Sequence, residues 1–472
     1  MHFKTIFKSF KNKDMLKRIL IVLGIIVVYR FMAHIPVPLG DSTTFKEAIE
    51  NLLAKSDFGS FINLISGGGL TSFSIILVGL SPFITSSIVV QLITKAVPRL
   101  EELSQDGETG RRKINQWTRR LTIPLAIIQS VAYMYILYQS ASANIATEMN
   151  VTTSDWILSV TAMTAGSVIL MWFGELVTEQ GIGNGISTLI FASIISQLPT
   201  TLASLGSSLF DTSNGTLSLF GWFNLPVNPT TFWIILGFIV ALVVVIYFLV
   251  KLNEAQRIIT INYAKRVHGN SSYGGIKSIL PIKLIAAGVI PVIFATSFLA
   301  LPALLGQVIQ TVHPGDSFGV AMTNMFTAPS ANNFSTLYPD GINLQWFFYP
   351  ALYFLLVVLF TYFYTSIIFN TKEIADNLQK QGGFIEGVRP GATTAKYLGK
   401  VVNRLNLFGA FSLGIIAMLP FITDYVFIVT TGAPIGLSIS GTGLLIVVTV
   451  ALENLRQVDS RALMITYDDF KA

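Results

Sequence analysis

The sequence predicts an all-α polytopic membrane protein, on three observations. Hydrophobic residues make up 52% of the 472-residue chain, and the mean hydropathy is +0.64. Charged residues make up only 12%, against about 25% in an ordinary soluble domain. Apolar windows of about 20 residues, the length a helix needs to cross the hydrocarbon core, recur along the whole chain. No stretch remains for a large soluble domain.

Ten such windows run over 17–35, 72–94, 121–140, 155–174, 185–204, 231–250, 284–305, 346–368, 405–423 and 436–455. The first follows the basic N-terminus MHFKTIFKSFKNKDMLKR and continues to about Pro36 with no small-residue cleavage site, so it reads as an uncleaved span. Next comes TTFKEAIENLL (43–53), whose Thr44 and Glu47 have capping-box spacing and predict a surface helix. Before the second span, FGSFINLI is too short to cross and ends at Gly67, Gly68 and Gly69. That segment either lies on the outer leaflet or re-enters the membrane. The second and seventh spans carry Pro82 and Pro291, which loosen helices locally. The fifth is rich in Ser and Thr, and GIGNG (181–185) before it reads as a helix start, because no strand precedes it.

Lys and Arg set the orientation. The N-terminus up to Arg18 carries six, residues 95–120 seven, 251–283 six, 369–404 six and the tail after 455 three, which is 28 of 31. Both termini are therefore expected in the cytoplasm. The segment 175–184 (ELVTEQGIGN) breaks the pattern, since it should face the cytoplasm yet holds no Lys or Arg. The outer segments 206–230 and 306–345 are polar. Three long basic loops on one face suit an acidic protein or an RNA backbone.

Several chemistries are excluded. With no cysteine there is no disulfide, thiolate metal site or Cys nucleophile. The four histidines (His2, His34, His268, His313) lack acidic partners at metal-ligand spacing, and no phosphate loop is present. No enzymatic activity and no cofactor are expected, so any energy source is a partner's. A secondary transporter is the rival reading, but Arg30, Glu175 and Glu453 lie toward span ends rather than at mid-membrane. The residues alone leave channel and carrier open.

Eight ordered motifs then resemble one family: RFMAHIPVPLG (30–40), GGGLTSFSIILVGLSPFITSSIVVQLI (67–93), GETGRRKINQWTRR (107–120), GELVTEQGIGNGIS (174–187), YAKRVHG (263–269), AGVIPVIFATS (287–297), ADNLQKQGGFIEGVRPG (375–391) and GTGLLIVV (441–448). Nearly the whole chain is similar to the SecY family, the channel subunit of the bacterial Sec translocon. The resemblance implies two five-helix halves around a central pore, here 1–204 and 231–455, joined by 205–230 and followed by a tail at 456–472. An inverted repeat would relate them. It implies a re-entrant plug helix at about 58–66, with Phe58, Phe61, Ile62, Leu64 and Ile65, on the hinge Gly67, Gly68 and Gly69. It implies a pore ring of Leu80, Ile84, Ile186, Ile190, Ile293 and Ile446, where a narrow apolar constriction excludes water and ions when empty.

The resemblance also implies a lateral gate between the second and seventh spans, with a polar cluster at Ser87, Gln129 and Ile285. The family usually has Asn where this chain has Ile285. Lys265, Arg266 and Arg389 would dock the ribosome and the SecA motor; here Glu386 replaces the first proline of the family's P-G-x-R-P-G. Implied partners are SecE and SecG, SecA, the ribosome, unfolded preproteins with signal peptides, and membrane lipid. The implied location is the bacterial cytoplasmic membrane. The implied function is passage of unfolded secretory proteins and lateral release of hydrophobic segments. An accessory channel for few substrates is the nearest alternative.

Overall fold

Each of the ten apolar windows falls on a helix in the computed structural model of the chain. The structure describes residues 13–38, 66, 68–69, 72–105, 107–144, 152–210, 217–219, 223–225, 227–263, 266–268, 271–273, 277–313, 315–327, 345–431 and 441–469. The helices and strands run α1 (Lys13–Met32), α2 (Ser81–Ala96), α3 (Pro98–Gln105), α4 (Gly107–Asn144), α5 (Thr153–Gln180), α6 (Gly185–Leu209), β1 (Leu217–Leu219), β2 (Phe223–Leu225), α7 (Pro229–Glu254), β3 (Gln256–Tyr263), β4 (Arg266–His268), β5 (Ser271–Tyr273), β6 (Lys277–Lys283), α8 (Ile290–Val312), α9 (Ser317–Phe326), α10 (Gln345–Ile368), α11 (Thr371–Lys380), β7 (Gly383–Ile385), α12 (Ala392–Thr431) and α13 (Gly441–Asp469).

Among the described residues, six helices are long and apolar enough to cross a membrane. A seventh is added if α2 and α3, bent by 109° at their junction, count as one. The remaining windows fall on α1, α6 and α13. Charged residues occupy part of α1 and α13, and the apolar part of α6 is short.

Two boundaries differ from the sequence expectation for one physical reason. The second span begins at Ser81 rather than 72, and the seventh at Ile290 rather than 284. Residues 72–80 and 284–289 are turns. Pro82 and Pro291 therefore sit in the first helical turn, where the missing N–H costs nothing and the fixed φ favours helix. They start these helices rather than loosen their middles. Elsewhere side-chain caps set the ends: Thr152 and Asp155 form a capping box on α5, Gly181 closes it at φ +68°, and Asn184 accepts from the Ile186 and Ser187 N–H groups to open α6.

The chain forms two compact units, taken from the described parts of Met1–Ile235, Thr296–Pro350 and Pro420–Ala472, and of Leu236–Ala295 and Ala351–Leu419. The first is centred on Phe73, Leu77, Met134, Leu137, Met163 and Leu304, all buried. In the second, the basic loops 251–283 and 369–404 are not separate: β3 pairs antiparallel with β6 and with β7 in one three-stranded sheet. Ile259, Ile282 and Ile385 of that sheet pack with Leu398 and Val402 of α12.

Candidate functional site

The spans α2 and α8 are entered in the same way. Gly79 and Gly288 hold φ of +62° and +63°, a left-handed conformation that costs glycine little. A proline follows three residues later in each, and an isoleucine, Ile84 or Ile293, two residues after that. Four residues before each glycine a backbone carbonyl meets another glycine. A Cβ on Gly166 of α5 would lie 2.2 Å from the Ile75 oxygen, and one on Gly409 of α12 would lie 2.4 Å from the Leu284 oxygen. The first arrangement lies within one unit and the second within the other. The repeated Gly-x-x-Pro-x-Ile was readable in the sequence, whereas Gly166 and Gly409 carry no signal there.

The six ring residues are placed as follows. Leu80, Ile84, Ile190, Ile293 and Ile446 are buried, and Ile186 is half-buried against Gly174. Leu80 and Ile84 stand one turn apart, with the Ile84 N–H donating to the Leu80 carbonyl at 3.0 Å. Leu80, Ile84, Ile186, Ile190 and Ile446 belong to one unit, and Ile293 to the other.

Phe58, Phe61, Ile62, Leu64, Ile65 and Gly67 lie outside the described residues. Two of the three glycines of the expected hinge, Gly68 and Gly69, are described. Gly68 has φ +87°, and buried Gly69 accepts at its carbonyl from the Ser74 N–H at 2.8 Å. The turns that follow are pinned to the residues after α1: Val37 N–H donates to the Phe73 carbonyl and Ile75 N–H to that of Ile35. The α1 residue Tyr29, 2% exposed, brings its hydroxyl to the Ser66 carbonyl at 3.3 Å and to the Ser193 hydroxyl of α6. Ser193 lies one turn beyond Ile190 and close to the face of α6 that carries Ile186 and Ile190.

The residues expected at a gate and at a docking surface have separate surroundings. Ser87 accepts from Gln91 Nε2 within α2 at 2.9 Å. Its neighbour Ser86 donates to the Thr118 carbonyl of α4 at 2.6 Å, and Gln129 stands about three turns further along α4. Gln129 is buried, and its Oε1 has no hydrogen-bond partner among the described residues. Ile285 is buried in the turn before α8, beside Gly409. Arg389 is exposed after β7, and its carbonyl accepts from Thr394 Oγ1 at 2.8 Å. Glu386 is exposed in a turn closed by the Val388 N–H on the Ile385 carbonyl, and Gly387 supplies φ +77°. Glu386 occupies the second turn position, where proline is favoured. Arg266 opens β4, and Lys265 lies outside the described residues.

The segment 175–184, which has no Lys or Arg of its own, is met by cations from other helices. Arg119 of α4 pairs with Glu175 at 2.5 Å, Arg18 of α1 donates to the Gln180 carbonyl at 3.2 Å, and Arg461 of α13 lies against Gly181. Two of these cations sit at the C-terminal end of α5, where the helix dipole favours them.

Residues 74–455 match the SecY family. The chain is similar to the protein translocase subunit SecY of Streptomyces scabiei, 36% identical over 474 residues that cover 98% of each. Among solved structures, its fold resembles a SecY channel whose plug domain stabilises the closed state. That likeness has a TM-score of 0.62 at 17% identity and covers 94% of this chain and 90% of that one. It also resembles Sec61 from a canine ribosome–channel complex of the endoplasmic reticulum, with a TM-score of 0.57 at 17% identity, covering 93% of this chain and 90% of that one. With the match running through all but the two ends and the identity sustained along both sequences, this chain belongs to the SecY family.

Proposed function

We propose that the chain is the central protein-conducting channel of a bacterial translocase. Unfolded secretory proteins cross through it, and hydrophobic segments leave it sideways into lipid. The observation that carries this reading is the matched interruption before α2 and α8. Gly/Pro-interrupted apolar segments at corresponding places in two halves mark the pathway of a membrane carrier or channel. Each interruption is followed by a buried isoleucine, Ile84 or Ile293, in the first turns of the helix. Apolar walls suit a chain that must slide without being held, and an apolar constriction resists water and ions when empty.

The halves 1–204 and 231–455 surround the pore, with the plug at about 58–66 and the ring at Leu80, Ile84, Ile186, Ile190, Ile293 and Ile446. A segment of about 20 apolar residues lowers its free energy by leaving through the gate, whereas a polar one stays and crosses. Ser87, Gln129 and Ile285 line that gate. The chain itself catalyses no reaction and needs no cofactor. SecA or a translating ribosome drives the process from the cytoplasm, where both termini lie, by docking on Lys265, Arg266 and Arg389. The likeness to a channel solved with a ribosome supports that partner. SecE and SecG complete the assembly in the cytoplasmic membrane.

The test places a photoreactive residue at Ile84 or Ile293 in protein reconstituted with SecE, SecA and ATP. A stalled precursor should crosslink to both sites, and only with ATP. An engaged precursor that reaches neither would remove the pore assignment. Saturable uptake of a small solute without any motor would favour a carrier instead.

A further inference from the structure

The turn Gly181–Gly185 is packed at three of its residues to a closeness only glycine permits. A Cβ on Gly181 would lie 2.0 Å from Arg461 Nη2, one on Gly183 1.9 Å from Asn454 Oδ1, and one on Gly185 1.8 Å from the Gly174 carbonyl oxygen. Gly181 and Gly183 also hold φ of +68° and +139°, which L side chains rarely adopt. Asn454 and Arg461 stand two turns apart on one face of α13. The turn is thus met at two points by side chains from a single helix face.

Hydrogen bonds carry the contact into α6. Asn454 Nδ2 donates to Thr188 Oγ1 at 3.3 Å, and Thr188 Oγ1 gives its one proton to the Asn184 carbonyl at 2.9 Å. Asn184 is the cap whose side chain accepts from the first N–H groups of α6. Thr188 lies two residues from both Ile186 and Ile190, on the opposite side of α6 from them. The back of α6 is therefore joined to α13, which carries Ile446, while its front presents two ring residues. All of these residues lie in one compact unit.

We propose that Asn454 is a positioning residue for the pore constriction, holding the Gly181–Gly185 turn and Thr188 on α13 so that Ile186, Ile190 and Ile446 keep a fixed spacing. This role rests on the channel reading above. Asn454 does not touch the passing chain; it acts through Thr188 and the turn.

The test uses the full chain assembled with SecE and SecG in planar bilayers, with resting ion conductance as the readout. SecA- and ATP-driven transport of a normal precursor is measured in parallel. Asn454→Leu keeps the branch at Cγ and the heavy-atom count but removes the donor, and Thr188→Val removes only the hydroxyl. Each should raise resting leak by roughly three- to tenfold, the factor one net hydrogen bond supplies, while precursor transport persists. The double variant should leak no more than the worse single one, because both remove the same link. Thr188→Ser, which keeps the hydroxyl, should stay at the wild-type level. Wild-type leak in both Asn454→Leu and Thr188→Val, or additive leak in the double variant, would overturn the role. If Asn454→Leu fails to assemble, Thr188→Val with Thr188→Ser decides alone. A wild-type assembly that moves no precursor would overturn the channel reading, and the positioning role with it.

Discussion

Tyr29 has one hydroxyl proton and two oxygen neighbours, the Ser66 carbonyl and the Ser193 hydroxyl. Ser193 gives its own proton to the Leu189 carbonyl at 2.9 Å, so the Tyr29 proton serves the Ser193 hydroxyl and the Ser66 carbonyl between them. The Tyr29 hydroxyl thus stands between Ser66, just before the three glycines, and the helix bearing Ile186 and Ile190. Tyr29→Phe removes the link and keeps the ring. It should weaken the closed arrangement by about 1 kcal/mol, a factor of about five in the population of open channels. Resting conductance in planar bilayers checks this, and an unchanged conductance would show that the hinge is held by other contacts. Gly69 makes the same point from the other side. Three consecutive glycines suggest a freely swinging hinge, yet Gly69 is buried and its carbonyl is engaged by Ser74. Freedom of φ is a property of the residue alone, and it is lost once neighbours close round the backbone.

At the scale of elements, the two turns before α2 and α8 are the parts that sequence periodicity misplaces. Residues 72–80 and 284–289 are as apolar as the helices they precede, so a hydropathy window cannot separate them. What separates them is backbone: Gly79 and Gly288 at positive φ, then proline in the first helical turn. Gly166 and Gly409 accept the carbonyls of Ile75 and Leu284 at distances that exclude a Cβ. Since the obstructing atoms are backbone, neither site relaxes by a rotamer change. Gly166→Ala and Gly409→Ala should each destabilise the protein by about 1–3 kcal/mol. Gly24→Ala on the exposed side of α1, with nothing within 4 Å of the new methyl, should be neutral or stabilising. Thermal unfolding of the purified protein in detergent compares the three, and equal melting temperatures would mean that the turns can shift.

For the whole molecule, the orientation is an expectation from charge, and the one segment that departs from the rule is met by cations of its neighbours. The segment 175–184 carries no Lys or Arg, but Arg18, Arg119 and Arg461 reach it from three helices. A cytoplasmic position for this loop is what the expected orientation, with both termini inside, requires. The chain has no cysteine, so a single Glu179→Cys at this exposed site gives a clean probe. A membrane-impermeant maleimide should label it only from the cytoplasmic side. Labelling from outside would reverse the orientation of the α5–α6 hairpin.

The all-helical membrane class, the rough position of the apolar helices and the family were legible in the sequence. Each rests on properties that single residues or short windows carry: hydropathy, charge and ordered motifs. So was the glycine and proline punctuation of α2 and α8. The three-stranded sheet uniting two basic loops was not, because β3 and β7 are far apart in sequence and β7 is only three residues long. The glycine seats at Gly166 and Gly409, the Tyr29–Ser193 link and the grip of Asn454 and Arg461 on the Gly181–Gly185 turn were equally hidden. These are contacts between distant segments at atomic distance, and only packing decides which glycine must lack a side chain and which polar group finds a partner.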